Sequence, residues 1–238
     1  GKKNQDKKNK NSCQTMVRRA ETSDFALFNL ESIQIPLYFE LVSRIIHVKP
    51  LFWVIALHVW PPFDKNFEIN QNQFKKAYKL IFSNNLYDLK RCNVFIVSVP
   101  TPINKKKEPD LKLIAEACSS IGSILKLNDV VIFESTVYPG LTEEFCIPIL
   151  EKKSKLQYNL EFFCGYSPER INPNDKKHNL KNIVKITSGS NKKTANFVNN
   201  LYKTIIKAGT YKVSSMAIAE AAKVIENSQR DLNIAFVN

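Results

Sequence analysis

With 238 residues, 44% of them hydrophobic, the chain has enough apolar content to close one large core or two small ones, which excludes a protein disordered overall. A formal charge of +13 raises nucleic acid or an anionic membrane as partners, but much of the excess sits near the start, where Lys2, Lys3, Lys7, Lys8, Lys10, Arg18 and Arg19 face only Asp6. A Lys/Asn-rich tail without interleaved aromatics reads as a solvated extension, so neither nucleic acid nor a membrane is expected as a partner.

In chain order, residues 1–50 read as a basic, poorly structured extension with no signal-peptide core. The greasiest run, residues 51–60, is too short to cross a bilayer and ends in Pro61 and Pro62. Cys13, Cys92, Cys118, Cys146 and Cys164 are odd in number and contain no C-x-x-C pair. They read as free thiols of a reducing cytosol, with no metal site, and imply a cytoplasmic protein.

A first strand is predicted over residues 53–57, and from Asn93 onward buried strands alternate with amphipathic helices, the pattern of an α/β parallel sheet. Residues 94–99 form a nearly continuous apolar run, as a central strand covered on both faces requires. Asp110 is placed to cap a helix running to about Leu125. Strands over 130–133, 161–164 and 183–187 and helices over 141–152 and 192–208 follow, with short connections that make neighbours of successive strands. Past Tyr211 the alternation ends, and Ser214 or Ser215 caps a long helix whose Ala217, Ala219, Ala221 and Ala222 admit another backbone closely.

Polar constellations fall at the ends of these elements. VSVPTP (97–102), FESTVYPG (133–140) and GYSPERINP (165–173) each follow or continue a strand-like run, at the carboxyl end where open α/β sheets receive ligands. Thr101, between two prolines, reads equally as a ligand contact or a turn residue. Glu134, Ser135 and Thr136 precede a Pro-Gly turn, where the hydroxyls suit a helix cap, a ligand contact or both. Glu169, beside Arg170, suits acid/base work or an ordinary surface ion pair. Lys223 and Asn227 lie four apart on one helix face, a cation and an amide suited to an oxygen-rich substrate. His47, His58 and His178 are scattered and suggest no triad.

From about Ala77 to Asn238 these ordered motifs, AEAAKVIENSQRDLNIAFVN above all, resemble the UDP-glucose/GDP-mannose dehydrogenase superfamily, in particular the branch that oxidises UDP-N-acetylhexosamines to uronic acids. The resemblance implies an α/β fold: a Rossmann-like parallel sheet with helices on both faces, an incomplete first βαβ unit, and the start of a long linking helix at the end. It implies NAD as cofactor, a UDP-sugar as substrate, and a four-electron oxidation at C6 through two hydride transfers, a cysteine-bound thioester and hydrolysis. On it, Thr101, Glu134, Ser135 and Thr136 contact the cofactor, Glu169 holds the hydrolytic water, and Lys223 with Asn227 stabilises an oxyanion.

Against the family's glycine loop, Ala56, His58 and Pro61 take the glycine positions, and Glu68, matched to the ribose-binding acid, follows too soon for the intervening helix. NAD affinity is therefore expected to be weak, because a Cβ at each position holds the pyrophosphate away from the backbone. The expected organisation is 1–50 as extension, 51–213 as a degenerate NAD-binding domain, and 214–238 as the beginning of a central linking and dimerisation helix, hence a homo-oligomer. The family's nucleophilic cysteine belongs past Asn238, which makes the chain an incomplete form of such an enzyme. The alternative is a catalytically inactive fragment or pseudoenzyme acting only through subunit pairing.

Overall fold

A computed structural model describes residues 25–28, 54–57, 80–83, 85–169, 183–204 and 206–238. Their strands are β1 (Phe25–Phe28), β2 (Val54–Leu57), β3 (Leu80–Ser83), β4 (Val94–Val97), β5 (Val130–Phe133), β6 (Phe163–Tyr166), β7 (Lys185–Gly189) and β8 (Thr210–Lys212). The helices are α1 (Lys112–Ile124), α2 (Ile147–Ser154), α3 (Lys192–Lys203) and α4 (Met216–Val237). The described strands form one sheet in the order β3-β2-β1-β4-β5-β6-β7-β8. The first six are parallel; β7 runs antiparallel to β6, and β8 runs parallel to β7.

The first six strands thus follow the dinucleotide-binding order, with the direction of winding reversing between β1 and β4. Two expectations for the front of the chain are corrected by this order. Phe25–Phe28 is a strand paired with both β2 and β4, so the sheet begins inside the stretch read as an unstructured extension. Val54–Leu57 is the second strand, not the first, and Ala56 lies within it opposite Leu27 and Phe82 instead of in a glycine turn. The reason is local: a four-residue apolar run among acidic and polar neighbours has too little periodicity to be legible. Glu68, His58 and Pro61 lie outside the described residues.

Strand alternation sorts the core into two layers. Phe95, Val97, Val131, Phe133, Cys164 and Tyr166 point to the side on which α1 and α2 pack with Ile114, Cys118, Ile121, Ile147 and Leu150. On the other face a Cβ added at Gly165 would lie 2.7 Å from Val198 of α3 and 3.8 Å from Ile132. Helices therefore cover both faces, and β4, β5 and β6 are buried along their whole length. Close approach is tightest at Gly189, where an added Cβ would stand 2.4 Å from the Ala195 backbone nitrogen; no other residue type lets α3 sit this near β7.

Local chemistry explains the helix boundaries. The Asp110 carboxylate accepts from the Lys112 amide, and the Ser215 hydroxyl accepts from the Ile218 amide, each opening its helix. Before α2, Thr142–Cys146 takes a π-helical turn, and the Ile147 amide donates to the Thr142 carbonyl. Pro148, lacking an N–H, removes the α-type bond at this point, so the turn widens.

At the amino edge of the sheet, Asp129 is fully buried and accepts from the Asn93 side-chain amide at 3.1 Å and the Lys126 backbone amide at 2.8 Å. Burial pushes its carboxyl up from 3.8 to about 6, against the opposing pull of Lys126. A carboxyl that binds its proton more tightly folded than unfolded stabilises below its unfolded value, and that contribution is lost as pH rises through the folded one. Asp129→Asn is expected to remove a loss of stability on the order of 2 kcal/mol between about pH 4 and pH 6, read from urea unfolding midpoints across that range.

Candidate active site

The carboxyl ends of β4, β5 and β6 carry three loops that are stitched to one another. After β4, the Val99 carbonyl accepts from the Ser135 hydroxyl at 2.7 Å, and the Thr101 hydroxyl donates to the Thr136 carbonyl at 2.5 Å. After β6, the Tyr166 hydroxyl donates to the Ser135 carbonyl at 3.0 Å, and the Ser167 amide donates to the Phe133 carbonyl at 2.9 Å. Thr101, Ser135 and Thr136 therefore share one ridge, with Glu169 two residues past Ser167 on the adjoining loop. Ser135 is buried beneath the ridge while Thr136 is exposed on it.

Glu134 is placed differently from its neighbours. Its side chain turns into the protein, 2% exposed, where it accepts from the Tyr202 hydroxyl of α3 and lies 3.5 Å from the Lys185 ammonium. Lys185 is 4% exposed, lies 5.0 Å from the centre of the Tyr202 ring, and donates to the Pro168 carbonyl at 3.3 Å. The Glu134 carboxylate is thus engaged by protein groups on its inner side and ties β5, β7 and α3 together. Because β7 runs antiparallel, its first residue, Lys185, arrives at the same edge where β5 and β6 end.

Lys223 and Asn227 lie on α4, which one residue ties to the loop after β5. Glu220 is fully buried; one of its carboxylate oxygens accepts from the Gly140 amide at 2.6 Å. The other accepts from the Thr142 amide at 3.0 Å and the Thr142 hydroxyl at 2.5 Å. Gly140 holds φ at +95°, which aims its amide at the carboxylate and disfavours any side chain there. Glu220, Lys223 and Asn227 follow at helical spacing, so they lie along one face of α4. The Asn227 side-chain carbonyl accepts from Arg230, one turn further on.

The arrangement is a ridge carrying Thr101 and Thr136 at the carboxyl edge, Glu169 on the next loop, and Lys223 and Asn227 on the helix that Glu220 ties to the loop after β5. Residues 65–206 match the NAD binding domain of the UDP-glucose/GDP-mannose dehydrogenase family. The chain belongs to that family. It is 58% identical over 175 residues to UDP-N-acetyl-D-glucosamine 6-dehydrogenase of Pseudomonas aeruginosa, covering 74% of this chain and 42% of that protein. It is 45% identical over 176 residues to Protein CapL of Staphylococcus aureus, covering 74% of this chain and 41% of that one. Among solved structures, a UDP-D-ManNAc dehydrogenase from Pyrococcus horikoshii superposes with a TM-score of 0.77 at 27% identity, over 90% of this chain and 52% of that chain. The chain therefore spans about two fifths of the length of these curated relatives.

The family match starts at residue 65, so β1 and β2 take their dinucleotide-fold positions outside the matched stretch. The two ends of a dinucleotide site fit NAD unequally. The hydroxyl ridge at the ends of β4 and β5 suits the ring that exchanges hydride, whereas no glycine occurs between Gly1 and Gly122 to bring backbone against a pyrophosphate after β1.

Sequence reasoning missed Glu220, Lys185 and Tyr202 as parts of this region. Glu220 lies inside the AEAAK motif, yet its partners are about 80 positions away, so nothing local marks it. The described cysteines, Cys92, Cys118, Cys146 and Cys164, are all buried and unpaired in disulfides. The Cys146 thiol is pushed up by a contact with Cys118 and by burial, and Cys164 by burial, which suits packing and not attack. Among the described residues no helix is long and apolar enough to cross a membrane.

Proposed function

We propose that this chain is the NAD-binding portion of an NAD-dependent UDP-N-acetylhexosamine 6-dehydrogenase, which oxidises the C6 hydroxyl of its sugar to a carboxylate for polysaccharide precursor synthesis. The observation that carries the reading is the 58% identity to a UDP-N-acetyl-D-glucosamine 6-dehydrogenase over 175 residues. NAD, when bound, supplies the hydride acceptor. Thr101 and Thr136 line the place of its reacting ring, on the turn that the buried Ser135 holds. Lys223 and Asn227 offer N–H donors to the oxygen at C6 as negative charge develops on it, and Glu169 holds and polarises the water that releases the acid.

The same reading makes α4 the surface through which two copies pair. Ile218, Ile225 and Leu232 recur at heptad spacing and are 49%, 65% and 70% exposed, and Phe236 beyond them is 91% exposed, an apolar row that water does not favour.

A hybrid enzyme tests the function. Residues 80–238 replace the corresponding stretch of the Pseudomonas aeruginosa relative, which then supplies its own front end and the remainder of the molecule. Absorbance at the NADH band is expected to rise with UDP-N-acetyl-D-glucosamine and NAD, whereas chain 1–238 alone gives negligible turnover. A folded hybrid that binds NAD but forms no NADH overturns the reading.

A further inference from the structure

We infer that Glu220 is a positioning residue: its buried carboxylate locks the helix carrying Lys223 and Asn227 to the loop carrying Ser135 and Thr136, and so sets the gap across which substrate and cofactor meet. The inference rests on the proposed function for what fills that gap, and on hydrogen bonds alone for the lock.

Three donors converge on this carboxylate from one short segment, the Gly140 amide, the Thr142 amide and the Thr142 hydroxyl. That segment opens the helical stretch running through the π turn into α2, so its amides carry the positive end of a helix dipole. A charge buried without such donors would be strongly disfavoured, which makes the lock bistable in character: fully engaged or broken. Nothing softer is available nearby, because Gly140 is held at positive φ with Glu144 against it, and Thr142 is itself 1% exposed.

The lever is short on both sides. On α4, Lys223 lies one turn and Asn227 two turns beyond Glu220, on the same face, so any slide or rotation of the helix at Glu220 reaches both undiminished. On the loop, three residues separate Thr136 from Gly140, and Thr136 is fixed in turn by Thr101. Met216 and Ala219 bury the first turn of α4 in the core, but apolar packing is non-directional and does not fix axial register as three hydrogen bonds do.

Glu220→Gln keeps the shape but turns an NH2 toward one of the donors, so at least one of the three bonds is lost. Glu220→Asp keeps the charge on a shorter arm. In chain 1–238, the γ-methyl signal of Thr136 and the ε-methylene signal of Lys223, assigned by single substitution, are expected to move together in Glu220→Gln and to return part-way in Glu220→Asp. Ile121→Val, a core change on α1, lowers the melting temperature without moving either signal and so controls for loss of stability. In the hybrid enzyme the same Glu220→Gln is expected to lower kcat about tenfold, with KM for NAD held within about threefold.

Thr136 and Lys223 signals that stay in place in Glu220→Gln, or that move equally in Ile121→Val, overturn the inference. So does a hybrid whose kcat is untouched. A hybrid inactive before any substitution removes the proposed function, while the magnetic-resonance comparison still decides the lock. Should Glu220→Gln fail to fold, Thr142→Val, which removes one donor and leaves the carboxylate in place, is read by the same two signals, and their immobility counts against the lock.

Discussion

Lys185→Met is expected to lower the free energy of unfolding by about 3–5 kcal/mol, because it leaves the Glu134 carboxylate buried without its cation. The ammonium lies 3.5 Å from that carboxylate and is itself 4% exposed, so neither charge is relieved by water. Tyr202 donates to the same carboxylate and presents its ring to the ammonium, but a neutral hydroxyl does not balance the charge. The double variant Glu134→Gln/Lys185→Met removes both charges and is expected to recover most of the loss. Urea unfolding of the four proteins of this cycle measures the coupling; single and double variants equally destabilised would mean that Lys185 acts through packing or through the Pro168 carbonyl instead.

The same cluster shows where sequence reading stops. Glu134 stands in FESTVYPG between a buried strand and two hydroxyl residues, and from that context its carboxylate reads as one more polar group facing a ligand. Its inward partners come from β7 and α3, 51 and 68 positions further on, and no local pattern announces them. Ser135 and Thr136 differ because their bonds run to the loop after β4, which the sheet order itself brings alongside. Strand β5 and the start of α3 were legible to the residue, since a continuous apolar run and a change of period are local signals. The direction of β7 was not: an apolar strand carries no mark of its polarity, and only the tertiary path from β6 reverses it. Strands β6 and β7 also begin two residues later than expected, within the usual uncertainty of element ends. The short strand β8 escaped notice because its buried-face pattern is weak, with Tyr211 and Lys212 both exposed.

The long-range contacts that sequence could not supply also decide what Lys223 is worth. A lysine on an amphipathic helix is ordinarily solvated and removable at little cost. Here Glu220 fixes its helix one turn earlier, and Asn227 follows on the same face with its carbonyl already occupied by Arg230, which leaves its N–H groups as the donors. In the hybrid enzyme, Lys223→Ala is expected to lower kcat by roughly a hundred- to a thousandfold, the usual consequence of deleting a donor to a developing oxyanion. KM for the UDP-sugar is expected to stay within about threefold, because on the proposed function the ammonium acts on charge that appears only as the reaction proceeds. Lys223→Arg retains the cation but spreads it over a plane that does not match a single oxygen, so only part of the rate returns. Thermal melts of the wild type and both variants check that the fold is kept, Lys223 lying outside the hydrophobic core. A rise in KM with kcat unchanged would recast Lys223 as a ground-state binding contact, most simply to the phosphates, and would leave oxyanion stabilisation to Asn227.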